Sequence, residues 1–376
     1  MKLLHYGSKM SWIGDKLLRK KDALKGYVSL FKGWIGALRN KLRNLSQTNL
    51  DLALYHLGHG NINDAIFRLN LLRLFRLPIN EIDYYLGRCY VEKFKFQCAV
   101  KYLQIYLNTP PPLKLQQEAQ YCLKIATNNP QDITEIPSSI IIHKFNQIAD
   151  RYNKLFFNDQ PDAPQAVLVK LLQQTLTNSL KPFGNHILDL GCGTGIMGLL
   201  CRQNRIIDNM IGVDITPKML QQAQELTFEN SKVYNQLYLQ DIGQYLTQTA
   251  AVLRSKYDII IASNIITYYA RIDLLFSASH TISSDSGILV LVFKNTLNPS
   301  LQRQFMDKIE QFYYSPQYVK ELAEQHKWLF VSEQVVTFFT KEIATILILS
   351  KQSLQVIKQP EEDADGGREK EVAVKL

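Results

Sequence analysis

The residues best suited to bind a ligand surround one glycine-rich segment in the middle of the sequence. An apolar run at Ile187–Leu190 leads directly into Gly191–Gly195, with the sequence GCGTG, and a helical pattern begins at Ile196. Glycine tolerates positive φ values and lets the backbone approach a ligand closely, while the start of a helix presents unpaired N–H groups. These features predict a loop that holds a small molecule.

Three acidic residues lie at or near the ends of successive predicted strands. Asp189 lies in the first strand, and Asp214 ends the second, nineteen residues after Gly195. A carboxylate at that point can accept both hydroxyl groups of a ribose. Asp241 follows the third strand, where the amino group of an adenine would lie. Because open α/β sheets bind ligands at the carboxyl ends of their strands, the three acids predict one crevice.

The segment Gly193–Gly198 also matches the dinucleotide pattern GxGxxG, so an NAD(P)- or FAD-dependent oxidoreductase is an alternative. Asp189 argues against it, because negative charge two residues before the first glycine would repel a pyrophosphate. The same acid would attract a ligand that carries a sulfonium and an ammonium group.

The elements that must position these residues follow an α/β pattern. Helical stretches separate five apolar runs, which predicts a parallel sheet with helices on both faces. The five runs are His186–Leu190, Met210–Val213, Gln236–Leu239, Asp258–Ala262 and Ile288–Phe293. Two later runs, Trp328–Phe339 and Ala344–Leu349, predict an antiparallel hairpin at the edge, which is atypical of a dinucleotide domain. The fold class is therefore α/β, with a seven-stranded, mostly parallel sheet in a domain at 141–351 and a disordered tail at 352–376.

An internal repeat precedes this domain, at residues 46–128. Leu52, His56, Gly60, Ile62, Ala65, Leu69 and Leu72 recur 34 positions later as Leu86, Tyr90, Phe94, Phe96, Ala99, Leu103 and Tyr106. A helix–turn–helix period of this length resembles tetratricopeptide repeats and implies a protein partner; a generic helical hairpin domain is the alternative. Residues 129–140, rich in Pro, Ser and Asp, predict the linker to the α/β domain.

The positive charge of the chain belongs to its first segment. Residues 1–45 carry 11 Lys and Arg but only two Asp, and the rest of the chain holds 32 residues of each sign. Apolar residues at seven-residue spacing predict a basic amphipathic helix there. We expect it to pack on the next helices or to contact an acidic membrane surface or partner, and we find no nucleic-acid signature.

Cysteine and histidine usage predicts a cytoplasmic protein without a metal site. The five cysteines form no CxxC pair, and the seven histidines show no metal-ligand spacing. There is no apolar stretch of about 18 residues and no signal-peptide pattern at the start.

The residues around the glycine turn resemble the class I S-adenosylmethionine-dependent methyltransferases. Asp189–Gly195 resembles the first motif of that family, Asp214 its ribose-binding acid, and Asp241–Ile242 its adenine-contacting pair. Tyr257–Asn264 resembles the fourth-strand motif, whose end lies beside the transferred methyl group. Phe145–Tyr152 is similar to the helix that precedes the fold in many members that act on small molecules.

The resemblance covers about residues 140–350 and implies a Rossmann-like fold with S-adenosylmethionine as cofactor. With the upstream repeats, the chain is similar to the bacterial tetratricopeptide-repeat methyltransferases. The resemblance to the methyltransferases also implies a set of cofactor-binding residues, with Asp189 and the glycine loop at the methionine end. The set is Tyr152, Asp189, Gly191, Cys192, Gly193, Thr194, Gly195, Asp214, Ile215, Met219, Asp241, Ile242 and Asn264. The chain departs from the family at Asn153 and Asn264, where aspartate is common.

We expect direct, in-line methyl transfer to an unidentified acceptor, with a small metabolite favoured over a protein. Displacement from a sulfonium can rest on positioning and the exclusion of water, so we name no catalytic base. Asn264, Tyr268 and Tyr269 are candidates to orient the acceptor. The Asp/Asn-Pro-Pro-aromatic tetrapeptide associated with base or glutamine N-methylation does not occur. The alternative from another class is a cofactor-binding interaction protein that uses the repeats without turnover.

Overall fold

The computed structural model describes residues 32–33, 45–75, 79–110, 115–129, 132–156, 164–177, 186–206, 209–252, 256–306, 310–338 and 341–353. Two compact units make up the chain, and the first passes into the second between Ala126 and Thr127. The predicted basic helix at 1–45 falls outside the described residues except for Lys32, Gly33 and Leu45. The predicted tail at 352–376 falls outside them except for its first two residues.

The described part of the first unit is helical. Its helices are α1 (45–58), α2 (Ile62–Leu74), α3 (Ile82–Glu92), α4 (Phe96–Leu107) and α5 (Gln116–Ala126). Neighbouring helices pack in sequence from α2 to α5.

The 34-residue period recurs in the backbone of this unit. Gly60 and Phe94 lie in the turns before α2 and α4, and both have left-handed φ angles, 76° and 54°. Ala65 and Ala99, the small residues of the two copies, have no exposed surface. A Cβ atom at Gly87 would lie 2.6 Å from Cγ of Leu103, so α3 and α4 approach closely at that glycine. The tetratricopeptide assignment itself stays a prediction.

The second unit contains eleven strands among its described residues. They are β1 (His186–Leu190), β2 (Asn209–Asp214), β3 (Thr227–Phe228), β4 (Ser231–Lys232), β5 (Gln236–Leu239), β6 (Tyr257–Ser263), β7 (Ser283–Lys294), β8 (Arg303–Met306), β9 (Gln311–Tyr314), β10 (Leu329–Thr337) and β11 (Ile343–Ser350). Seven of them form one sheet in the order β10-β11-β7-β6-β1-β2-β5. β5, β2, β1, β6 and β7 are parallel, whereas β11 runs antiparallel to β7 and to β10. The predicted seven-stranded sheet with its antiparallel C-terminal hairpin is confirmed.

Helices cover both faces of this sheet, as its apolar strands require. The helices of the second unit among the described residues are α6 (Ser138–Ile148), α7 (Tyr152–Phe156), α8 (Pro164–Thr177), α9 (Ile196–Gln203), α10 (Pro217–Glu225), α11 (Ile242–Val252), α12 (Asp273–Ile282) and α13 (Pro316–Gln325). Residues Ile259–Ala262 of β6 have no exposed surface, which explains why this strand reads as an unbroken apolar run.

The start of the second unit and one of its hairpins differ from the expectations. Pro137 immediately precedes α6, so helix begins within the predicted linker at 129–140, and the nearby Ile133 and Ile136 are buried. The β8–β9 hairpin is a two-stranded sheet of its own and is absent from the strands predicted by sequence. None of the helices among the described residues combines the length and the apolar character needed to cross a bilayer.

Candidate active site

A cleft lies at the carboxyl edge of the sheet, beside the ends of β1, β2 and β6. It encloses about 660 Å³ of empty space, part of which is open to solvent. The lining residues are Ile141, Phe145, Tyr152, Gly191, Gly193, Asp214, Ile215, Thr216, Met219, Asp241, Ile242, Ser263, Asn264, Ile265, Tyr268 and Tyr269. The cleft lies at β1, where the strand order reverses between β2 and β6, the usual ligand position in open α/β sheets.

The glycine turn bounds the cleft with its backbone. Gly191, Gly193 and Gly195 have φ angles of 73°, 53° and 87°, a region that residues with a Cβ atom avoid. A Cβ atom on Gly191 would lie 2.8 Å from Ile265, and one on Gly195 would lie 2.9 Å from Leu226. A Cβ atom on Gly193 would meet nothing within 4 Å. The outer glycines therefore allow close packing, whereas Gly193 leaves its side of the cleft open.

Asp214, at the end of β2, is held by two backbone N–H groups. Its Oδ2 atom accepts a hydrogen bond from Gly193 N–H at 2.9 Å, and its Oδ1 atom accepts one from Thr216 N–H at 2.7 Å. Burial raises the pKa of this carboxyl, and the backbone hydrogen bonds oppose the shift. Because each carboxylate oxygen can accept more than one hydrogen bond and Asp214 lines the cleft, it can also accept hydroxyl groups of a ribose.

Asp241 lies across the cleft, immediately before α11. Its Oδ1 atom accepts the N–H of Gln244 at 3.1 Å, as a residue at the start of a helix does. Its Oδ2 atom accepts the O–H of Tyr269 at 3.3 Å. Burial, assisted by the nearby Asp241 carboxylate, raises the pKa of Tyr269. The acid and the tyrosine thus form one wall together.

Asp189 lies behind the glycine loop and does not line the cleft. It is only 1% exposed, and its Oδ2 atom accepts the O–H of Tyr234 at 2.7 Å. The same tyrosine oxygen accepts the N–H of Gly198 at 3.2 Å, in the first turn of α9. Burial raises the pKa of Asp189 to about 7, although the tyrosine O–H opposes the shift. Asp189 therefore supports the loop from the interior of the unit.

Three other predicted cofactor residues also stand outside the lining. Cys192 is buried, and burial raises the pKa of its thiol. Thr194 is buried as well, and its Oγ1 atom donates to Oδ1 of Asn153 at 2.6 Å, which ties the loop to α7. Gly195 packs against Leu226. These residues shape the loop, and the other members of the predicted set line the cleft.

Aromatic rings form another part of the lining, and one of them, Tyr152, lies close enough to Asp214 to be affected by its charge. The rings of Phe145 and Tyr268 meet edge to face with centroids 5.5 Å apart, and those of Phe145 and Tyr152 are 6.0 Å apart. Burial raises the pKa of Tyr268, and it raises the pKa of Tyr152 to about 12 with the Asp214 carboxylate adding to the shift. Both phenols are therefore neutral near pH 7.

Asn264 lines the cleft and directly follows the last residue of β6. Its φ angle is 57°, and its backbone N–H donates to the carbonyl oxygen of Val292 at 2.8 Å. Its side-chain Oδ1 atom is buried and has no hydrogen-bond partner among the described residues. A buried, unpaired amide oxygen is costly without a ligand.

The sequence patterns miss several residues of this cleft. Ile141 and Thr216 line it without belonging to a recognisable motif. Gln311 donates from Nε2 to the phenol oxygen of Tyr268 at 2.7 Å across a separation of 43 residues. No local signal connects two residues so distant in the chain.

The residues fit a nucleoside ligand such as S-adenosylmethionine. Asp214 offers acceptor sites for a ribose, Asp241 offers one for an adenine amino group, and the Gly193 backbone leaves space beside it. The two carboxylates and the buried amide oxygen of Asn264 make the described lining rich in hydrogen-bond acceptors, which suits the hydroxyl and amino groups of such a ligand. No group of three or more His, Cys, Asp or Glu side chains able to hold a metal ion occurs among the described residues.

Comparisons with known proteins agree with this fit. Residues 183–352 match the family model Methyltransf_31, described as a methyltransferase domain. A search of the curated proteins found no match.

Similar solved structures include the [4+2]-cyclase SpnF, with 12% identity, coverage of 58% of this chain and 98% of that chain, and a TM-score of 0.46. Magnesium protoporphyrin IX methyltransferase from Synechocystis PCC 6803 with bound S-adenosylhomocysteine shares 18% identity over 57% of this chain and 99% of that chain, with a TM-score of 0.42. The 1,6-didemethyltoxoflavin-N1-methyltransferase of Burkholderia thailandensis shares 12% identity over 65% of this chain and 94% of that chain, with a TM-score of 0.44. The match at 183–352 identifies a methyltransferase domain in this chain, and the strand order and the cleft at the carboxyl edge of the sheet suit S-adenosylmethionine as its cofactor.

Proposed function

We propose that this methyltransferase acts on a small, predominantly apolar acceptor that enters the aromatic end of the cleft. The supporting observation is the composition of the lining. Among the described lining residues, Asp214 and Asp241 are the only charged ones, and both are at the part suited to a nucleoside. Phe145, Tyr152 and Tyr268 surround the remaining space with ring surface, which favours a molecule that buries apolar area.

The cofactor contacts divide among three segments. Asp214 holds the ribose, Asp241 binds the adenine amino group, and the loop at 191–195 lies against the methionine end. When bound, S-adenosylmethionine supplies an electrophilic methyl group on a cationic sulfur. Asn264 offers its buried amide oxygen, which has no partner among the described residues, as a hydrogen-bond acceptor for the bound cofactor.

Catalysis rests on positioning and on the exclusion of water, without a general base from the chain. Tyr152 and Tyr268 keep their protons near neutral pH because burial raises the pKa of each. They therefore bound and orient the acceptor as neutral groups. Holding two reactants in an in-line arrangement can supply much of the rate enhancement of such a displacement.

Transfer of labelled methyl groups tests this proposal. The full-length protein is incubated with methyl-labelled S-adenosylmethionine and an extract of the cells that carry the gene, and products are separated by size. We expect label in the small-molecule fraction, loss of labelling with Asp214→Ala, and unchanged labelling with Asp285→Ala, which alters an exposed carboxylate outside the cleft. Label confined to proteins would overturn the small acceptor. Cofactor binding without transfer to any fraction would favour an interaction protein.

For the first unit we propose tetratricopeptide-like repeats that bind a protein partner. The support is the recurrence of left-handed turns at Gly60 and Phe94 and of buried alanines at the same 34-residue spacing. We propose that the basic residues at 1–45 contact an acidic membrane surface or partner. Removal of 1–45 should leave S-adenosylmethionine affinity unchanged and reduce binding to vesicles that contain anionic lipid. Equal vesicle binding by both proteins would contradict the membrane contact.

A cytoplasmic location belongs to the same proposal. All five cysteines are among the described residues, and no two of them form a disulfide. Fractionation of cells with an antibody to the chain would test the location.

A further inference from the structure

A chain of buried side-chain hydrogen bonds ends at Tyr268 in the wall of the cleft. Nζ of Lys294 donates to Oε1 of Gln311 at 2.9 Å, and Nε2 of Gln311 donates to the phenol oxygen of Tyr268 at 2.7 Å. Lys294 is 8% exposed and Gln311 is 7% exposed. The three residues come from the end of β7, the start of β9 and the 3-10 turn after β6. We call them the Lys294 relay.

The ammonium group fixes the direction of every hydrogen bond in the Lys294 relay. An ammonium can only donate, so the amide of Gln311 must turn its oxygen towards Lys294. The NH₂ group of the amide then faces Tyr268, whose oxygen must accept. The phenol is left with its own O–H as the group to donate.

The charge of Lys294 is already balanced without Gln311 and Tyr268. Its Nζ lies 3.0 Å from Oε2 of Glu342 and sits over the rings of Tyr313 and Phe338. The extension to Tyr268 connects this ion pair to the ligand cleft. Buried hydrogen bonds in a chain reinforce one another, so the lone pair of the phenol oxygen is committed to Gln311 before a ligand binds.

We propose that Tyr268 is set as a hydrogen-bond donor to the methyl-accepting molecule, with Gln311 and Lys294 as positioning residues. The cleft then selects molecules that present a lone pair at this point, such as a carbonyl oxygen, a carboxylate oxygen or an unprotonated ring nitrogen. It discriminates against molecules that present an N–H group without a lone pair there, because two donors would face each other. This inference rests on the proposed function, since it defines the acceptor of the same cleft.

A pair of bicyclic probes of similar size tests the direction of the relay. The full-length protein, loaded with S-adenosylhomocysteine, is titrated by calorimetry with 1-indanone, which presents only a carbonyl acceptor, and with indole, which presents an N–H donor. One net hydrogen bond corresponds to about a tenfold difference in affinity. We expect 1-indanone to bind about tenfold more tightly than indole.

Gln311→Glu reverses the relay with little change of shape. A carboxylate at this position cannot donate, so it accepts the O–H of Tyr268 and leaves the lone pairs of the phenol facing the cleft. We expect the preference between the two probes to invert in this variant. Tyr268→Phe, which removes only the hydroxyl group, should bring the ratio of affinities to about 1.

Binding of S-adenosylhomocysteine to each protein separates this inference from the proposed function. Failure of the wild-type protein to bind it would contradict the proposed function. With that binding intact, failure to bind 1-indanone or equal affinity for the two probes in the wild type would overturn the inference. The inference would also be overturned if Tyr268→Phe left the ratio of the affinities for 1-indanone and indole unchanged. Should Gln311→Glu not fold, the result with Tyr268→Phe decides between these outcomes.

Discussion

A hydrogen bond of 2.9 Å joins the Oδ2 atom of Asp214 to the backbone N–H of Gly193. It connects the end of β2 to the loop that follows β1, so the two halves of the proposed cofactor site hold each other in place. The loop conformation, with Gly193 at a φ of 53°, is therefore stabilised by the same carboxylate that is expected to bind the ribose. Substitution of either Asp214 or Gly193 should therefore affect both the conformation of the loop and the binding of the ribose.

Asp214→Ala should lower the affinity for S-adenosylmethionine by about 100-fold or more. It removes the ribose acceptor and the carboxylate that holds the loop, and hydrogen bonds to charged groups contribute about 1.5–3 kcal/mol each. Calorimetry with the full-length protein measures the change. Asp285→Ala, at an exposed position on β7, should leave the affinity unchanged. A loss of less than about threefold with Asp214→Ala would show that the carboxylate is not part of the site.

Gly193→Ala should impair ligand binding far more than it impairs folding. A Cβ atom at this position meets nothing within 4 Å in the protein but would occupy space in the cleft. Gly60→Ala is the matched control, because Gly60 also has a positive φ and open space but lies in the first unit. Both variants should lose about 1–2 kcal/mol of stability from left-handed strain. Only Gly193→Ala should weaken cofactor binding, and equal affinities in the two variants would contradict the expectation.

Asn264→Gly should preserve stability and weaken cofactor binding. Glycine adopts the left-handed conformation of this residue without strain. The change also removes a buried amide oxygen that has no partner among the described residues. If that oxygen serves a bound ligand, S-adenosylmethionine affinity should fall about tenfold. A variant that is both as stable and as tight-binding as wild type would exclude the role.

Asp189→Asn should change how stability depends on pH. The native pKa of Asp189 is raised to about 7 from 3.8, so the folded state holds this proton more tightly than the unfolded chain. Its contribution is complete below about pH 4 and is lost as the pH rises through about 7. Asparagine does not titrate. Relative to wild type, the variant should therefore gain about 2–3 kcal/mol in its free energy of unfolding between pH 5 and pH 8.

Urea unfolding at several pH values measures this difference. A constant gap between the two proteins across that range would mean that Asp189 is ionised in the folded state at pH 5.

Gly87→Ala should destabilise the first unit through Leu103. The new Cβ atom would lie 2.6 Å from Cγ of that leucine, between α3 and α4. Overpacking of this kind costs about 1–3 kcal/mol. In a Leu103→Ala background the contacts with Cγ and Cδ2 are absent and only the backbone nitrogen of residue 103 remains close, at 3.3 Å, so the substitution should cost less than it does in the wild type. A double-mutant cycle followed by circular dichroism measures the coupling, and additive effects would argue against the close contact.

The parts of the site that local patterns determine are predictable from the sequence. The apolar runs of β1 and β2 end at a glycine turn and at Asp214, and parallel strands bring their carboxyl ends together at one edge. The same alternation of strands and helices predicts a mostly parallel sheet, and the two later runs predict its antiparallel hairpin, but neither predicts the order of the strands. Each of these features depends on residues within about 20 positions of one another.

The features of the site that the sequence does not predict depend on contacts between residues far apart in the chain. The alternation of side chains along β1 does not reveal that Asp189 meets Tyr234, 45 residues away, behind the loop. Gln311 and Tyr268 come together across 43 residues, which include α12, β7 and β8. Pro137 and Ser138 indicate a linker by composition, but Pro137 precedes α6 and Ser138 begins it, and the side chain of Ile140 is buried.

The bridge between Glu135 and Tyr269 sets a lower limit on the size of the working catalytic fragment. The segment that matches the methyltransferase family begins at residue 183. A fragment that started there would retain all strands of the large sheet, the glycine turn and the three acids. It would lack Ile141, Phe145 and Tyr152, one side of the cleft. The shortest piece of this chain with a complete ligand site therefore starts upstream of Glu135, almost fifty residues before the recognisable domain.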